Sequence, residues 1–239
     1  MKPLQDRVCI VTGAGRGIGR AIALRAAGEG CRTVLVARSA DQLEAVQAEI
    51  AGRGGQACRI RADVAIQEDL EALVKQTLDR FGAIDFLINN AGWGVKAQVA
   101  KGRISDWEQT LRVNLLAPMI LSQLVLPGLT ARQGGAVVNV ASISGRAGQG
   151  GSAAYAASKA GLIAFTQSLF EEVREHHIKV AAIIPGFVDT EMIPPVRHLD
   201  RSRMIQAEDV AQAVLFVLTA PPTACPVEIT VRPQRTPYR

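Results

Sequence analysis

Tyr155 and Lys159 stand four residues apart in Ala153-Ala154-Tyr155-Ala156-Ala157-Ser158-Lys159, and one of only two tyrosines in the chain is thereby paired with a lysine. On a helix that spacing puts both side chains on one face. A phenol that ionises near ~10 is a poor acid-base catalyst at neutral pH, and a neighbouring ammonium favours its phenolate and lowers its pKa. Upstream, Ser142 follows the run Val137-Val138-Asn139-Val140-Ala141. At the carboxyl end of a strand its hydroxyl can donate to a substrate carbonyl oxygen, with Ser144 a rival for that role. The chemistry is proton transfer at a polarised carbonyl.

A second constellation lies near the start. The first β-branched run leads straight into Thr12-Gly13-Ala14-Gly15-Arg16-Gly17-Ile18-Gly19, and a helical pattern follows from Arg20 to Glu29. Amides at a helix N-terminus can cradle a pyrophosphate, and glycines permit the tight turn and close backbone approach. The spacing is G-x-x-x-G-x-G rather than G-x-G-x-x-G, whose last position would fall on Ile18 or Arg20. A turn that merely closes a strand-helix corner is the bland alternative. The second strand ends Val36-Ala37-Arg38, where an NAD site would carry an acid for the ribose hydroxyl. Arg38 and Arg16 are expected to converge on a 2′-phosphate, since guanidinium suits bidentate phosphate contact. Asp41 is the one nearby acid and belongs to the first turn of the next helix. The expected cofactor is NADP(H).

The elements that position these groups alternate. Short apolar runs at Arg7–Thr12, Thr33–Ala37, Gln56–Arg61, Phe86–Asn89, Ala136–Ala141, Lys179–Ile184 and Val227–Val231 are separated by longer amphipathic stretches. That pattern predicts an α/β fold, a doubly wound, Rossmann-type seven-stranded parallel sheet with helices on both faces. The strands read as near-continuously apolar, as strands covered on both faces should. Ser39-x-x-Gln42 reads as a capping box, Gln67-Glu68-Asp69 loads acids at a helix start, and glycines in 52–55 end a helix. No linker or repeat interrupts this rhythm, so residues 1–239 are expected to form a single domain. The polar, proline- and arginine-rich stretch 191–205 is expected to be a loop over the substrate site.

Composition excludes other classes. With 239 residues, 48% hydrophobic and 21% charged, the chain can bury a sizeable core, which rules out fibrous and disordered readings. A net charge of +5 is spread along the sequence, its tight clusters being Arg197/Arg201/Arg203 and Arg232/Arg235/Arg239. With only 4% aromatics to stack on bases, no nucleic-acid partner is expected. Cys9, Cys31, Cys58 and Cys225 include no C-x-x-C pair and read as small core hydrophobes. His176, His177 and His198 read as solvated, so no metal is expected. The stretch Leu115–Leu129 is broken by Pro118, Ser122, Gln123 and Pro127, short of the ~18 residues of a membrane span, and a cytoplasmic protein is expected.

Thr12-Gly-x-x-x-Gly17-x-Gly19, Asn89-Asn90-Ala91-Gly92, Asn114, Ser142, Tyr155-x-x-x-Lys159 and Pro185-Gly186 stand in the order seen in classical short-chain dehydrogenases/reductases, which the chain resembles over nearly its whole length. The resemblance implies that Tyr155 is the general acid in carbonyl reduction and that Ser142 polarises the carbonyl. Lys159 would hold the nicotinamide ribose and depress the tyrosine pKa, and Asn114 would anchor a water relaying protons to Lys159. Asn90, Ala91 and Gly92 would line the cofactor cleft, Asp63 and Val64 the adenine pocket, and Pro185, Gly186, Val188 and Thr190 the nicotinamide end. The chain departs from many 3-oxoacyl-carrier-protein reductases of the family at its C-terminus, Val227-Glu228-Ile229-Thr230-Val231-Arg232-Pro233. That ending looks more like the NADP-dependent branch acting on 3-hydroxy acids and small carbonyl compounds.

The leading expectation is an NADP(H)-dependent oxidoreductase interconverting a ketone or aldehyde with an alcohol. The alternatives are a 3-oxoacyl-carrier-protein reductase, with Arg103, Arg132 and Arg146 as candidate carrier contacts, and a catalytically silent dinucleotide-binding regulator. Trp93, Ala147, Gln149, Phe187, Met192 and Ile193 would shape a pocket for an apolar small-molecule substrate. The helical stretches 104–132 and 153–176 carry apolar residues on more than one face, including Leu115, Leu116, Met119, Leu121, Ile163, Phe165 and Leu169. The family typically pairs such helices across a two-fold axis, and a homotetramer is expected.

Overall fold

The apolar runs form strands β1 (Val8–Thr12), β2 (Arg32–Ala37), β3 (Gln56–Arg61), β4 (Phe86–Asn89), β5 (Gly135–Val140), β6 (Ile178–Pro185) and β7 (Glu228–Val231). They pair in parallel in the order β3-β2-β1-β4-β5-β6-β7. The structure, a computed structural model, describes residues 2–193 and 199–238, so Arg197, His198, Arg239 and the middle of the 191–205 stretch fall outside it. Helices α1 (Gly17–Gly28), α2 (Ala40–Gly52) and α7 (Ala207–Thr219) cover one face. The other carries α3 (Gln67–Phe81), α4 (Ile104–Leu111), α5 (Ala117–Ala131) and α6 (Ala153–Val173).

Of the five inner strands, β1, β4, β5 and β6 are buried from end to end or nearly so, and β2 is buried except at its two end residues. The outermost two correct the expectation of continuously apolar strands. β3 alternates, with Cys58 and Ile60 buried and Arg59 and Arg61 exposed, and β7 is only half-buried. An edge strand has no neighbour on its outer side, so helices cover it incompletely. Cys9, Cys31 and Cys58 are buried and Cys225 is half-buried, all as free thiols. The Cys9 thiol is pushed up by its hydrogen bond with Cys31 and then by burial.

Two helix expectations need correction. Ser39 Oγ accepts from the Gln42 amide at 3.4 Å, but the Gln42 side chain lies under Gly15 instead of completing a capping box. The stretch 104–131 is one continuous helical segment, apolar enough by length and composition to cross a bilayer, which its prolines were expected to prevent. Pro118, just after the junction with the preceding helical turn, and Pro127 are both accommodated within that segment. Ala117, Leu121, Val125 and Leu129 pack into the same core as Leu70, Leu73 and Val74 of α3. Of the residues expected to face another subunit, Leu121, Ile163 and Leu169 are buried in this chain's own core, whereas Leu116 and Met119 are exposed, together with Leu111.

Candidate active site

In an open parallel sheet, ligands bind beyond the carboxyl ends of the strands, at the point where the strand order reverses. Here that point lies between β1 and β4. Thr12 closes it: its hydroxyl accepts the amides of Asn90 (2.9 Å) and Ala91 (3.0 Å), while Asn90 Nδ2 donates to the Thr12 carbonyl at 2.9 Å. The segment Asn90–Gly92 is thus tied to the glycine turn. Gly13 and Gly17 adopt φ of 66° and 52°, and a Cβ on Gly19 would overlap the Gly13 carbonyl oxygen. Side chains there would fill a cradle that opens at the N-terminus of α1, which is the shape a pyrophosphate requires.

The charge arrangement differs from the sequence expectation. Arg16 NH1 pairs with Glu191 at 2.7 Å, and both side chains are exposed. Arg16 and Arg38 thus face different carboxylates in this structure. The Glu191 carboxylate, distant in sequence, reaches Arg16 because Thr190 packs against Gly17. Arg38 keeps a long 3.8 Å contact with Asp63. Asp63 also accepts from the Ala65 amide, and its own amide donates to Asp69, so the adenine-side turn through Val64 is fixed by its own hydrogen bonds. Sequence reasoning missed Arg61, which lies beside Ala37 in the β2/β3 register and donates its Nε to the Arg38 carbonyl at 3.0 Å. Among the described residues it has no carboxylate partner. The signal was available: an arginine at the exposed end of an edge strand, next to the expected phosphate site.

Across the cleft, β5 ends at Val140 and the chain enters a 3₁₀ turn (Ile143–Gly145) capped by Ser142, whose Oγ accepts from the Ser144 amide at 3.1 Å. Ser144 thus orients Ser142 through its backbone. Burial raises the Tyr155 pKa, and the neighbouring Ser142 hydroxyl offsets that rise only in part. Lys159 Nζ donates to the Val140 carbonyl at 2.7 Å and lies 5.9 Å from the Tyr155 ring centroid. Burial lowers its pKa to about 8. The expected depression of the Tyr155 pKa by Lys159 is absent from this state, because the ammonium is turned toward the strand-end carbonyl.

Asn114 sits fully buried in a π-helical segment (Arg112–Leu116) between α4 and α5. Such segments recur at functional sites because they shift the side-chain register of a helix by one residue. Its side chain bonds the Trp93 backbone at both ends, Nδ2 to the carbonyl and Oδ1 from the amide, each at 2.8 Å. Nδ2 also donates to Ser158 Oγ at 3.0 Å, and Ser158 in turn donates to the Tyr155 carbonyl at 2.7 Å. Both amide hydrogens are consumed. Ser158 was missed, as was Gly94, where a Cβ would stand 2.9 Å from Tyr155 Cδ2. A buried ladder from Asn89 through Asn139 to Thr166 ties the sheet to α6.

The pocket residues are distributed unevenly. Trp93 and Phe187 are half-buried, Met192 is exposed near Gly92, and Ala147 and Gln149 lie on an exposed loop after the 3₁₀ turn. Pro185 and Gly186 end β6, Val188 bridges to Ile205, and Ile193 donates its amide to Thr190. The candidate carrier contacts are each engaged: Arg103 with Asp106, Arg132 with Asp85 and the Ile84 carbonyl, and Arg146 with Glu228.

Comparison with known proteins agrees with this geometry. Residues 7–200 match the family described as short chain dehydrogenase. A 3-oxoacyl-[acyl-carrier-protein] reductase of Synechocystis sp. is 35% identical over 231 residues, 94% of each chain. An uncharacterized oxidoreductase of Staphylococcus aureus is 34% identical over 233 residues, 98% of this chain and all of that one. The crystal structure of a metagenomic short-chain oxidoreductase in complex with NADP superposes with a TM-score of 0.87 at 31% identity, covering 98% of this chain and 100% of the other. With a family match across most of its length and relatives more than 30% identical over nearly the whole chain, this chain belongs to the short-chain dehydrogenase family.

Proposed function

We propose that this oxidoreductase interconverts a ketone or aldehyde with an alcohol, using NADP(H) and the set Asn114, Ser142, Tyr155 and Lys159. One observation carries the reading: Ser142 at the carboxyl end of β5 stands beside Tyr155, with the buried Lys159 one turn further along α6 and 5.9 Å from the Tyr155 ring centroid. The glycine cradle at the head of α1 fits a dinucleotide pyrophosphate, and Arg38 with Arg61 supplies cationic character where a 2′-phosphate would lie. The relative solved with NADP supports that choice. When bound, the nicotinamide supplies the hydride for reduction or accepts it for oxidation.

The chain's own residues handle the proton. Burial keeps Tyr155 protonated at neutral pH, the state needed to donate to a carbonyl oxygen as hydride reaches its carbon. Ser142 donates to the same oxygen and polarises it. Lys159 then favours the phenolate left behind by turning its ammonium from Val140 toward the tyrosine and the ribose hydroxyls. Asn114, Ser158 and Trp93 hold the helix that carries Tyr155 in place. In oxidation the same transfers run in reverse.

The test is NADPH oxidation followed at 340 nm over a panel of ketones, aldehydes and acyl-carrier 3-oxo thioesters. Turnover of free carbonyl compounds supports the proposal. Turnover confined to the carrier thioesters assigns the chain to the reading suggested by the Synechocystis relative.

A further inference from the structure

The chain's other tyrosine, Tyr238, is given no role by the reading above. After β7 the tail turns back across the carboxyl end of β6. The Gly186 amide donates to the Val231 carbonyl at 2.8 Å, and a Cβ on Gly186 would stand 3.1 Å from Pro233 Cδ. Pro237 is buried, and its carbonyl accepts from the Asp200 amide at 2.7 Å. A proline brings no N–H that would need a partner there. Leu199 and Tyr238 then form an antiparallel bridge. These contacts present the Tyr238 ring to Phe187 edge to face, centroids 5.5 Å apart at 85°.

The backbone at Phe187 is held as well. Its carbonyl accepts from the Ile205 amide at 2.9 Å, and the Asp189 amide donates to the Ile205 carbonyl at 2.8 Å. Its backbone is therefore fixed, and Tyr238 bears on its ring. Tyr238 itself is 50% exposed, so core burial explains little of its placement, whereas an edge-to-face pair is a directional contact. Phe187 directly follows Pro185-Gly186, where substrate and nicotinamide are expected to meet.

We propose that Tyr238 is a positioning residue for substrate size: by holding the Phe187 ring, the C-terminal tail sets one wall of the carbonyl pocket. The inference rests on the carbonyl-reducing reading, and the experiment separates the two. The full-length parent, Tyr238→Phe, Tyr238→Ala, Phe187→Ala and the double alanine variant are compared with 2-butanone, 2-heptanone and acetophenone. kcat and KM are measured separately, and NADPH affinity is followed by its fluorescence. Ketone binding to the NADP+ complex, read through quenching of tryptophan fluorescence beside Trp93, gives the same comparison without turnover.

Tyr238→Phe should behave as the parent, since the contact is made by the ring. Tyr238→Ala should shift the acetophenone-to-butanone ratio of kcat/KM by about two- to tenfold toward acetophenone, the worth of one aromatic pair. The shift should lie in KM, with NADPH affinity within twofold. Phe187→Ala should produce the same kind of shift, and the double variant should add little to it, as coupled residues do. A uniform loss across the ketones, a matching loss of NADPH affinity, or additive shifts in the double variant would overturn the inference. A parent inactive on these ketones and on every free ketone and aldehyde of the wider panel defeats the carbonyl-reducing reading, and the quenching series then decides: no dependence on ligand size among the variants overturns the role of Tyr238 too.

Discussion

Replacing Lys159 with methionine is expected to make the cofactor-free protein more stable at neutral pH while abolishing turnover. Lys159 is 3% exposed, and burial lowers its pKa from the ordinary 10.5 to about 8 with no compensating carboxylate among the described residues. The folded value lies below the unfolded one, so the unfolded chain binds more protons between about pH 8 and 10.4 and native stability rises with pH across that window. Below pH 8 the full cost of burying the charge is present. A shift of 10.5 − 8 = 2.5 units corresponds to about 3 kcal/mol at pH 7. Methionine has a similar length and no charge but forfeits the hydrogen bond to the Val140 carbonyl, worth about 1 kcal/mol, leaving a net gain of about 2 kcal/mol. Urea unfolding of parent and Lys159→Met at pH 7.0 and 9.5 measures this. The advantage of the variant should shrink by about 2 kcal/mol at the higher pH, because the parent lysine has by then lost its proton in the folded state. A variant less stable than the parent at pH 7, or a difference independent of pH, would refute the reasoning.

Tyr155→Phe should keep NADPH affinity and lose turnover by a factor on the order of 10² to 10⁴, checked by fluorescence titration and steady-state rates on one substrate. Gly94→Val places methyl groups where a Cβ already stands 2.9 Å from the Tyr155 ring, and kcat should fall about tenfold or more with NADPH affinity unchanged. Ala37→Asp with Arg38→Leu should reverse the ratio of kcat/KM for NADPH over NADH, and Arg61→Leu alone should weaken NADPH but not NADH by up to about tenfold, partial exposure limiting each charge contact. Leu111, Leu116 and Met119 are exposed on one continuous helical stretch, and sedimentation at micromolar concentration should give a species of about 100 kDa, four chains of 25.4 kDa; a clean monomer would contradict the shared interface.

Much of the site was legible because its geometry is local. The i, i+4 spacing of Tyr155 and Lys159 places both on α6, and the position of Ser142 after an apolar run places it at the end of β5. The order of strands and glycines fixes the cleft, since parallel crossovers admit few topologies. What escaped were residues whose role depends on a distant element. Ser158 looks like an ordinary helical serine until Asn114 packs against it, and Asn139 and Thr166 reveal their ladder only once β5 lies under α6. Gly94 has no turn to explain it, since its need arises from the approach of a ring more than sixty residues away in sequence.

The charged partners are a different case. Arg16 was expected to face a phosphate and instead meets Glu191, with 62% and 71% of the two side chains exposed. An exposed pair of long side chains is worth only about 0–1 kcal/mol, so many alternative carboxylates within reach compete on nearly equal terms and the sequence carries almost no information about which one wins. The same weakness makes the pairing exchangeable. A phosphate near α1 brings more negative charge than one carboxylate and also accepts from the helix N-terminus, so cofactor binding at the glycine turn would draw Arg16 away from Glu191 at little cost. Arg16 is therefore hardest to place where the folded protein holds its partner most loosely, whereas Tyr155 and Lys159 on one helix and Ser142 at a strand end follow from spacing alone.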